Sequence, residues 1–181
     1  LLHEIPFASD GNITYDLLID HINGELANVL GNLVQRSISM GNKYFDGVVR
    51  GTDAVEDIDL ELESKLKNLE NIVEEKMDAL QISDAITEIF NVLRFTNKYI
   101  DETTPWVLAK DDSKKDRLQN VIYHLLESIR VCSLYLEPFM PSTSKEIRKQ
   151  LNTSDTNIVY NSSNEYHLET PSVLFQRIDR D

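Results

Sequence analysis

The chain contains very little cysteine, glycine or proline. Of its 181 residues, one is cysteine, six are glycine and five are proline. The lone Cys132 excludes an internal disulfide and a zinc site built from several cysteines, and such sparse use of cysteine is typical of a reducing compartment. The scarcity of helix-breaking residues, together with long stretches of helical apolar periodicity, predicts an all-α fold.

Sequence signals for membranes, secretion and catalysis are also lacking. No stretch is apolar enough to span a bilayer, and residues 1–5 lack the basic start and apolar core of a signal peptide. We therefore expect a cytoplasmic protein with no membrane partner, and a first residue other than methionine suggests part of a longer protein. The four histidines show no metal-ligand spacing, and no Gly-rich phosphate loop or catalytic-triad signature is present. The sequence predicts no catalytic residue, metal site or cofactor in this chain.

The charge of the chain is strongly negative but unevenly distributed. A net charge of −13 argues against a general nucleic-acid-binding protein, which normally carries a basic face. Between Asp53 and Asp84, however, eleven acidic residues stand against three lysines, so −8 of the total comes from one predicted helix and its flanks. We interpret these acids as the solvated face of a helix packed on the core. The mildly acidic remainder leaves room for a local RNA contact.

Apolar periodicity predicts four main helices and a short fifth one, joined as an antiparallel helix bundle. Their predicted starts lie near Thr14, Asp53 (with Glu56 in capping-box spacing), Ser83, Asp116 and Pro141. The first helix is predicted to bury Leu18, Ile22, Leu26, Val29, Leu33 and Ile38. We predict that residues 1–13 form an arm and that residues 14–152 form the bundle. Residues 153–181, which lose periodicity and are rich in Asn, Ser and Thr, are predicted to form an extended C-terminal tail.

The only tryptophan, Trp106, follows Pro105 in the connection between two predicted helices. A flat ring in such a place is suited to stacking on an unpaired base, and the proline would stiffen the connection. Asn32 and Arg36 lie one turn apart on the first helix and offer donors and acceptors on one face, with Asn28 one turn earlier. Packing of Trp106 where helices meet, and a solvated role for Asn32 and Arg36, remain open alternatives.

Two groups of polar residues lie near Trp106 in the sequence, and we predict different roles for them. Asn97, Tyr99 and Asp101 are predicted to fix the loop that presents the tryptophan. The basic residues that follow it are interleaved with aspartates, so we favour a solvated loop without a net field over contacts with phosphates. They are Lys110, Lys114, Lys115 and Arg117.

Several segments resemble the methionyl-tRNA synthetase family. They match its C-terminal anticodon-binding domain in order and at compatible separations, and the similarity covers nearly the whole chain. The matching segments are residues 5–11, 28–36, 42–47, 97–106, 137–141 and 174–179. The resemblance implies the anticodon-binding bundle of the class I aminoacyl-tRNA synthetases.

The resemblance also implies recognition of the CAU anticodon of methionine tRNA, within a ligase that methionylates tRNA in protein biosynthesis with ATP and Mg²⁺. It implies that Asn32, Arg36 and Trp106 contact the anticodon, chiefly its first base, with Pro105 and Asn28 in support. The catalytic motifs and zinc knuckle of the family are absent from this sequence. We therefore expect the chain to be inactive alone and to depend on its own N-terminal catalytic domain, against which the arm and tail would pack. The alternatives are the anticodon domain of another class I synthetase and an acidic helical protein-interaction module with Trp106 as its anchor.

Overall fold

Helices dominate the part of the chain that the structure, a computed structural model, describes: Leu2, residues 14–161 and residues 163–179. The elements in chain order are α1 Tyr15–His21, a π-helical segment Ile22–Gly31, α2 Asn32–Phe45, β1 Val48–Arg50, α3 Asp57–Asp78, α4 Ile82–Thr103, α5 Pro105–Leu108, a 3₁₀ turn Asp112–Lys114, α6 Lys115–Leu136, α7 Pro141–Gln150 and β2 Glu165–His167. The predicted all-α class is confirmed. The predicted arm, except for Leu2, lies outside the described residues.

The first predicted helix is one continuous helical run whose middle part is π-helical. Thr14 caps it as predicted, since its hydroxyl oxygen accepts a hydrogen bond from the backbone N–H of Leu17 at 3.1 Å. The wider π turn shifts the register of the side chains, so Ala27 and Leu30 are buried. The predicted core positions Leu26 and Val29 are only partly buried. A π-helical segment of this length is rare, since π geometry mostly occurs as single-turn bulges within α-helices.

The second predicted helix begins about one turn later than the predicted start near Asp53. Its N-cap is Glu56, and the carboxylate of Asp59 accepts a hydrogen bond from the Glu56 backbone N–H at 2.9 Å. The capping-box prediction for Asp53 and Glu56 is therefore wrong. The placement of Asp59 on a solvated face is also wrong, because this carboxylate is fully buried.

Helix α6 is the centre of the bundle and packs against α2, α3, α4 and α7. The sequence predicts one buried stripe, but nearly every side chain from Arg117 to Leu136 is buried. The faces outside this stripe carry buried polar side chains, which include Glu127, Ser128, Arg130 and Ser133. A helix buried all round is normally apolar, so these polar groups require partners within the protein.

The segment after α7 is extended, and its described part belongs to the bundle. Strand β2 pairs antiparallel with β1, with Val49 opposite Tyr166. Tyr160 and Tyr166 are buried in the same core as the helices. The tail is predicted to pack on another domain, but these two tyrosines pack inside this chain instead. The division at residue 153 remains a prediction, but the folded core extends past it.

Candidate nucleic-acid interface

Asn32 and Arg36 share the outer face of α2. Asn32 is the first residue of α2 and is exposed, and the side chain of Arg36, one turn further on, is 36% exposed. The opposite face of α2 is anchored in the core by Leu33, Val34 and Ile38. The helix therefore presents an amide and a guanidinium together from a fixed backbone.

Arg36 also connects α2 to the end of α4. Its Nη2 atom lies 3.8 Å from Oδ1 of Asp101, whose side chain is 70% exposed. An ion pair between groups this exposed is weak, so a ligand can displace Asp101 at little cost. Asp101 lies four residues before Pro105, so the pair brings Arg36 to the helix end from which the Trp106 connection begins.

The connection that carries Trp106 is a tight turn. Helix α4 ends at Thr103, and Thr104 adopts a left-handed backbone conformation with φ of 44°. Pro105 is buried at the first position of α5, where its missing N–H and fixed φ are favourable. Trp106 follows and is 42% exposed. Part of the ring is therefore accessible, as stacking on a base requires.

Asn28 lies in the π-helical segment and shares a cavity of about 290 Å³ with Asn32 and Gln35. The far wall of this cavity is formed by the C-terminal segment, including Phe175 and Arg177. The Arg177 guanidinium donates a hydrogen bond to the side-chain oxygen of Asn28. The structure therefore brings Asn28 beside Asn32, but the Asn28 oxygen already has a protein partner.

Polar side chains of α4 hold the π-helical segment in place. The Asn97 amide donates to the backbone oxygens of Val29 and Leu93 at 3.2 and 3.1 Å. The Nη2 atom of Arg94 lies 2.6 Å from each carboxylate oxygen of Glu25 and donates to that carboxylate. Asn97 thus ties α4 to the helical run that carries Asn28 and Asn32.

A buried polar cluster beneath this surface was missed by the sequence analysis. Arg117 donates to the two carboxylate oxygens of Asp59 at 2.6 and 3.0 Å, and the Tyr99 hydroxyl donates to the same carboxylate at 2.5 Å. The prediction of Arg117 as part of a solvated loop is wrong, because this side chain is buried. A usable sequence signal was the run of polar residues at helical spacing on α6: Arg117, Asn120 and His124.

The cluster is charged despite its burial. Burial opposes ionisation of Asp59, but hydrogen bonds from Arg117, Tyr99 and the Glu56 backbone outweigh it, so the pKa of Asp59 lies below its ordinary value. Burial and the nearby Asp59 charge raise the pKa of Tyr99 far above its ordinary value, which keeps its hydroxyl protonated as a donor. Asp59 and Arg117 therefore form a hydrogen-bonded ion pair that joins α3 to α6.

The three lysines predicted with Arg117 to form a solvated loop lie at the surface. Lys110, Lys114 and Lys115 are exposed, as are Asp111 and Asp112. Across the described residues, no group of three or more His, Cys, Asp or Glu side chains is arranged to hold a metal ion. None of the described helices combines the length and apolarity needed to cross a membrane.

Comparison with known proteins gives a consistent match. A family model described as the anticodon binding domain of methionyl tRNA ligase matches residues 49–181. Methionine–tRNA ligases of Caldanaerobacter subterraneus and Clostridium perfringens are each 44% identical over 99% of this chain, which spans 29% and 28% of those proteins. The apo methionyl-tRNA synthetase of Mycobacterium tuberculosis matches 99% of this chain with a TM-score of 0.91 and 30% identity, over 38% of its own chain. The chain thus spans less than a third of these curated relatives.

Proposed function

The chain belongs to the methionyl-tRNA synthetase family, as its anticodon-binding domain, and we propose that it reads the CAU anticodon of methionine tRNA. In the proposal, the domain serves a cytoplasmic ligase whose N-terminal catalytic domain methionylates tRNA with ATP and Mg²⁺. A methionyl-tRNA synthetase structure with bound methionyl-adenylate resembles this chain at a TM-score of 0.89, which supports ATP use in the whole enzyme. The chain alone is expected not to aminoacylate.

The observation that carries the proposal is the arrangement of Asn32, Arg36 and Trp106. An amide and a guanidinium lie on one helix face, and Asp101 links Arg36 to the end of the helix that leads to the exposed ring. Cytosine offers an exocyclic amino donor beside ring acceptors, which the Asn32 oxygen and the Arg36 donors complement. Trp106 would stack on the base, while the buried Pro105 holds the turn.

The anticodon lies far from the acceptor end of a tRNA, so the contribution of this domain to catalysis would be indirect. Binding energy from the anticodon would be used to orient the acceptor end in the catalytic domain. Removal of one anticodon contact should therefore lower aminoacylation by the whole enzyme even though the reacting atoms are untouched.

Two variants of neighbouring residues test the role of Trp106. Stacking on an aromatic side chain contributes about 1–3 kcal/mol per base, so Trp106→Ala should weaken binding of a CAU stem-loop about tenfold. Val107, which is 51% exposed on the same short helix, is the matched control. Val107→Ala should change the dissociation constant by less than about twofold, because an aliphatic side chain lacks the stacking surface. Fluorescence anisotropy of a labelled stem-loop measures both.

A second stem-loop, altered only at the first anticodon base, tests specificity. The wild-type chain should bind this RNA more weakly than the CAU loop and show less quenching of Trp106. Equal binding of both RNAs would contradict anticodon reading and leave only electrostatic attraction. Absence of binding to either RNA, by both the chain and the whole enzyme, would favour the protein-interaction alternative.

A further inference from the structure

The turn that presents Trp106 is strained. Thr104 has φ of 44° and ψ of 61°, a region that β-branched residues rarely occupy. The residue also precedes a proline, which ordinarily favours an extended conformation. A backbone of this kind persists only where surrounding structure holds it, and such residues concentrate at functional sites.

Backbone and side-chain hydrogen bonds hold the turn from both sides. The Thr104 N–H donates to the Ile100 oxygen at 3.0 Å, and the Thr104 oxygen accepts from the Val107 N–H at 2.8 Å. The Thr103 hydroxyl donates to the Tyr99 oxygen at 2.6 Å. The turn is therefore anchored on the last helical turn of α4, which begins at Tyr99.

Tyr99 is in turn fixed by the charged cluster beneath it. Its ring is fully buried, and its hydroxyl donates to Asp59 on α3 at 2.5 Å. Asp59 is held by Arg117 on α6, which also donates to the Ala54 backbone oxygen at 3.2 Å. A single hydroxyl thus connects the end of α4 to α3 and, through the Asp59 carboxylate, to α6.

We propose that Tyr99 is a positioning residue for RNA reading, whose hydroxyl holds the end of α4 so that Trp106 and Arg36 keep the separation that a stacked base requires. Asp101 lies two residues after Tyr99 and faces solvent beside Arg36. Movement of this helix end would therefore shift Trp106 and the Asp101 carboxylate relative to Arg36, which is fixed on α2. The inference rests on the proposed function and identifies a residue that does not touch RNA.

The chain contains a matched control for Tyr99. Tyr166 is also buried, and its hydroxyl donates to a fully buried carboxylate, Glu127, which is paired with Arg130 at 2.9 Å. Tyr99→Phe and Tyr166→Phe each delete one oxygen and remove one donor from a buried carboxylate, so similar losses of stability are expected. The two variants differ in location, because Tyr166 lies in β2 rather than beside the Trp106 turn.

The first measurement is made without RNA. Acrylamide quenching and time-resolved anisotropy report on Trp106, the only tryptophan in the chain. Tyr99→Phe should increase both quenching and local motion of the ring, whereas Tyr166→Phe should leave them unchanged. The same values for wild type and Tyr99→Phe, with the fold confirmed by circular dichroism, would overturn the inference.

The second measurement is binding of the CAU stem-loop and of the loop altered at its first anticodon base. Tyr99→Phe should raise the dissociation constant for the CAU loop roughly three- to tenfold, which lies within the range of about two- to thirtyfold expected for residues that act through a connected network. It should also reduce discrimination between the two loops. Equal weakening by Tyr166→Phe would overturn the inference, since loss of stability alone would then explain the effect.

The two measurements separate this inference from the proposed function. A wild-type chain that binds both loops equally contradicts anticodon reading, and the RNA-free fluorescence then decides whether Tyr99 positions Trp106. If Tyr99→Phe does not fold, Asp59→Asn replaces the charged acceptor of the Tyr99 hydroxyl with a neutral amide. This variant should produce the same increase in Trp106 quenching, and an unchanged value would overturn the inference.

Discussion

The bundle contains two buried networks, each made of one carboxylate, one arginine and one tyrosine, that hold different kinds of structure. The inter-helix network consists of Asp59, Tyr99 and Arg117, and the tail network consists of Glu127, Arg130 and Tyr166. Both carboxylates are fully buried and each accepts hydrogen bonds from its arginine and tyrosine. In the inter-helix network, the three side chains come from α3, α4 and α6. In the tail network, both charged residues lie on α6, three positions apart.

The tail network uses its charges to satisfy backbone groups of a segment without helical hydrogen bonds. Arg130 donates to the backbone oxygens of Asn157 and Val159, and Glu127 accepts from the Asn161 N–H at 2.8 Å. Buried backbone groups must be paired, and an irregular segment cannot pair its own. A buried carboxylate, arginine and tyrosine can therefore serve two purposes. They join helices when all three side chains come from different helices, and they stabilise an irregular segment within the core when the other N–H groups of the arginine donate to its backbone oxygens.

The largest effect is expected from Arg130→Met, which leaves Glu127 buried without its charge partner and leaves backbone oxygens unpaired. Breaking a buried pair by removing one partner costs about 3–5 kcal/mol, to be measured by urea unfolding. Arg148→Met is the control, since Arg148 makes a two-pronged pair with Glu137, whose side chain is 44% exposed. Arg148→Met should lower the free energy of unfolding by about 1 kcal/mol or less. Equal losses of unfolding free energy in Arg130→Met and Arg148→Met would show that the buried tail network is no more stabilising than the exposed ion pair.

Asp59→Asn should have an intermediate effect. Arg117 would keep Glu56, whose carboxylate lies 3.2 Å from its Nε atom, and the Ala54 backbone oxygen. The remaining charge is therefore partly compensated, and we expect a loss of about 2 kcal/mol in the free energy of unfolding, as for a hydrogen bond to a charged group. Urea unfolding measures this loss on the same scale as that of Arg130→Met.

Limited proteolysis distinguishes the effect of Arg130→Met from that of Asp59→Asn. Arg130→Met should open cleavage sites in residues 157–161, because those backbone groups lose their partner, whereas Asp59→Asn should leave the segment protected. Cleavage of this segment in folded Asp59→Asn, at the rate found for Arg130→Met, would contradict the separation of the two networks.

The sequence predicted what local periodicity determines. Leu33 and Ile38 are buried as predicted for the first helix, and the fifth predicted helix begins at Pro141 as expected. These features depend on spacing within a single helix, so no knowledge of distant partners is needed to predict them.

The features that were missed depend on residues far apart in the chain. Asp59 stands among exposed acids, and its burial depends on the hydrogen bonds from Tyr99 and Arg117, which lie 40 and 58 positions away. The pairing of β1 with β2 joins Val49 to Tyr166 across most of the chain. For the candidate site, the helical spacing of Asn32 and Arg36 was visible in the sequence, but the contact between Arg36 and Asp101 required the packing of α4 on α2.

The smallest effect concerns pH and the buried histidine of α6. His124 lies between the inter-helix network and the C-terminal segment. Its Nε2 atom is 3.9 Å from Oδ2 of Asp59 and 3.2 Å from the Asn120 amide nitrogen, and its Nδ1 atom is hydrogen-bonded to the Tyr160 hydroxyl. Burial lowers the pKa of His124 below its ordinary value of 6.5, although nearby carboxylates oppose the shift. The charged groups that act on it are Asp59, Glu63, Arg117 and Glu127.

The sign of the pH effect follows from this lowered pKa. As the pH falls below about 6.5, the unfolded chain takes up a proton at His124 before the folded chain does, so stability falls until the folded pKa is passed. Each unit of pKa difference contributes about 1.4 kcal/mol. Urea unfolding at pH 7 and pH 5 should therefore show a smaller difference for His124→Gln than for wild type. His167→Gln, at an exposed position in β2, should keep the wild-type difference; an unchanged difference in His124→Gln would mean that the buried imidazole does not couple protonation to folding.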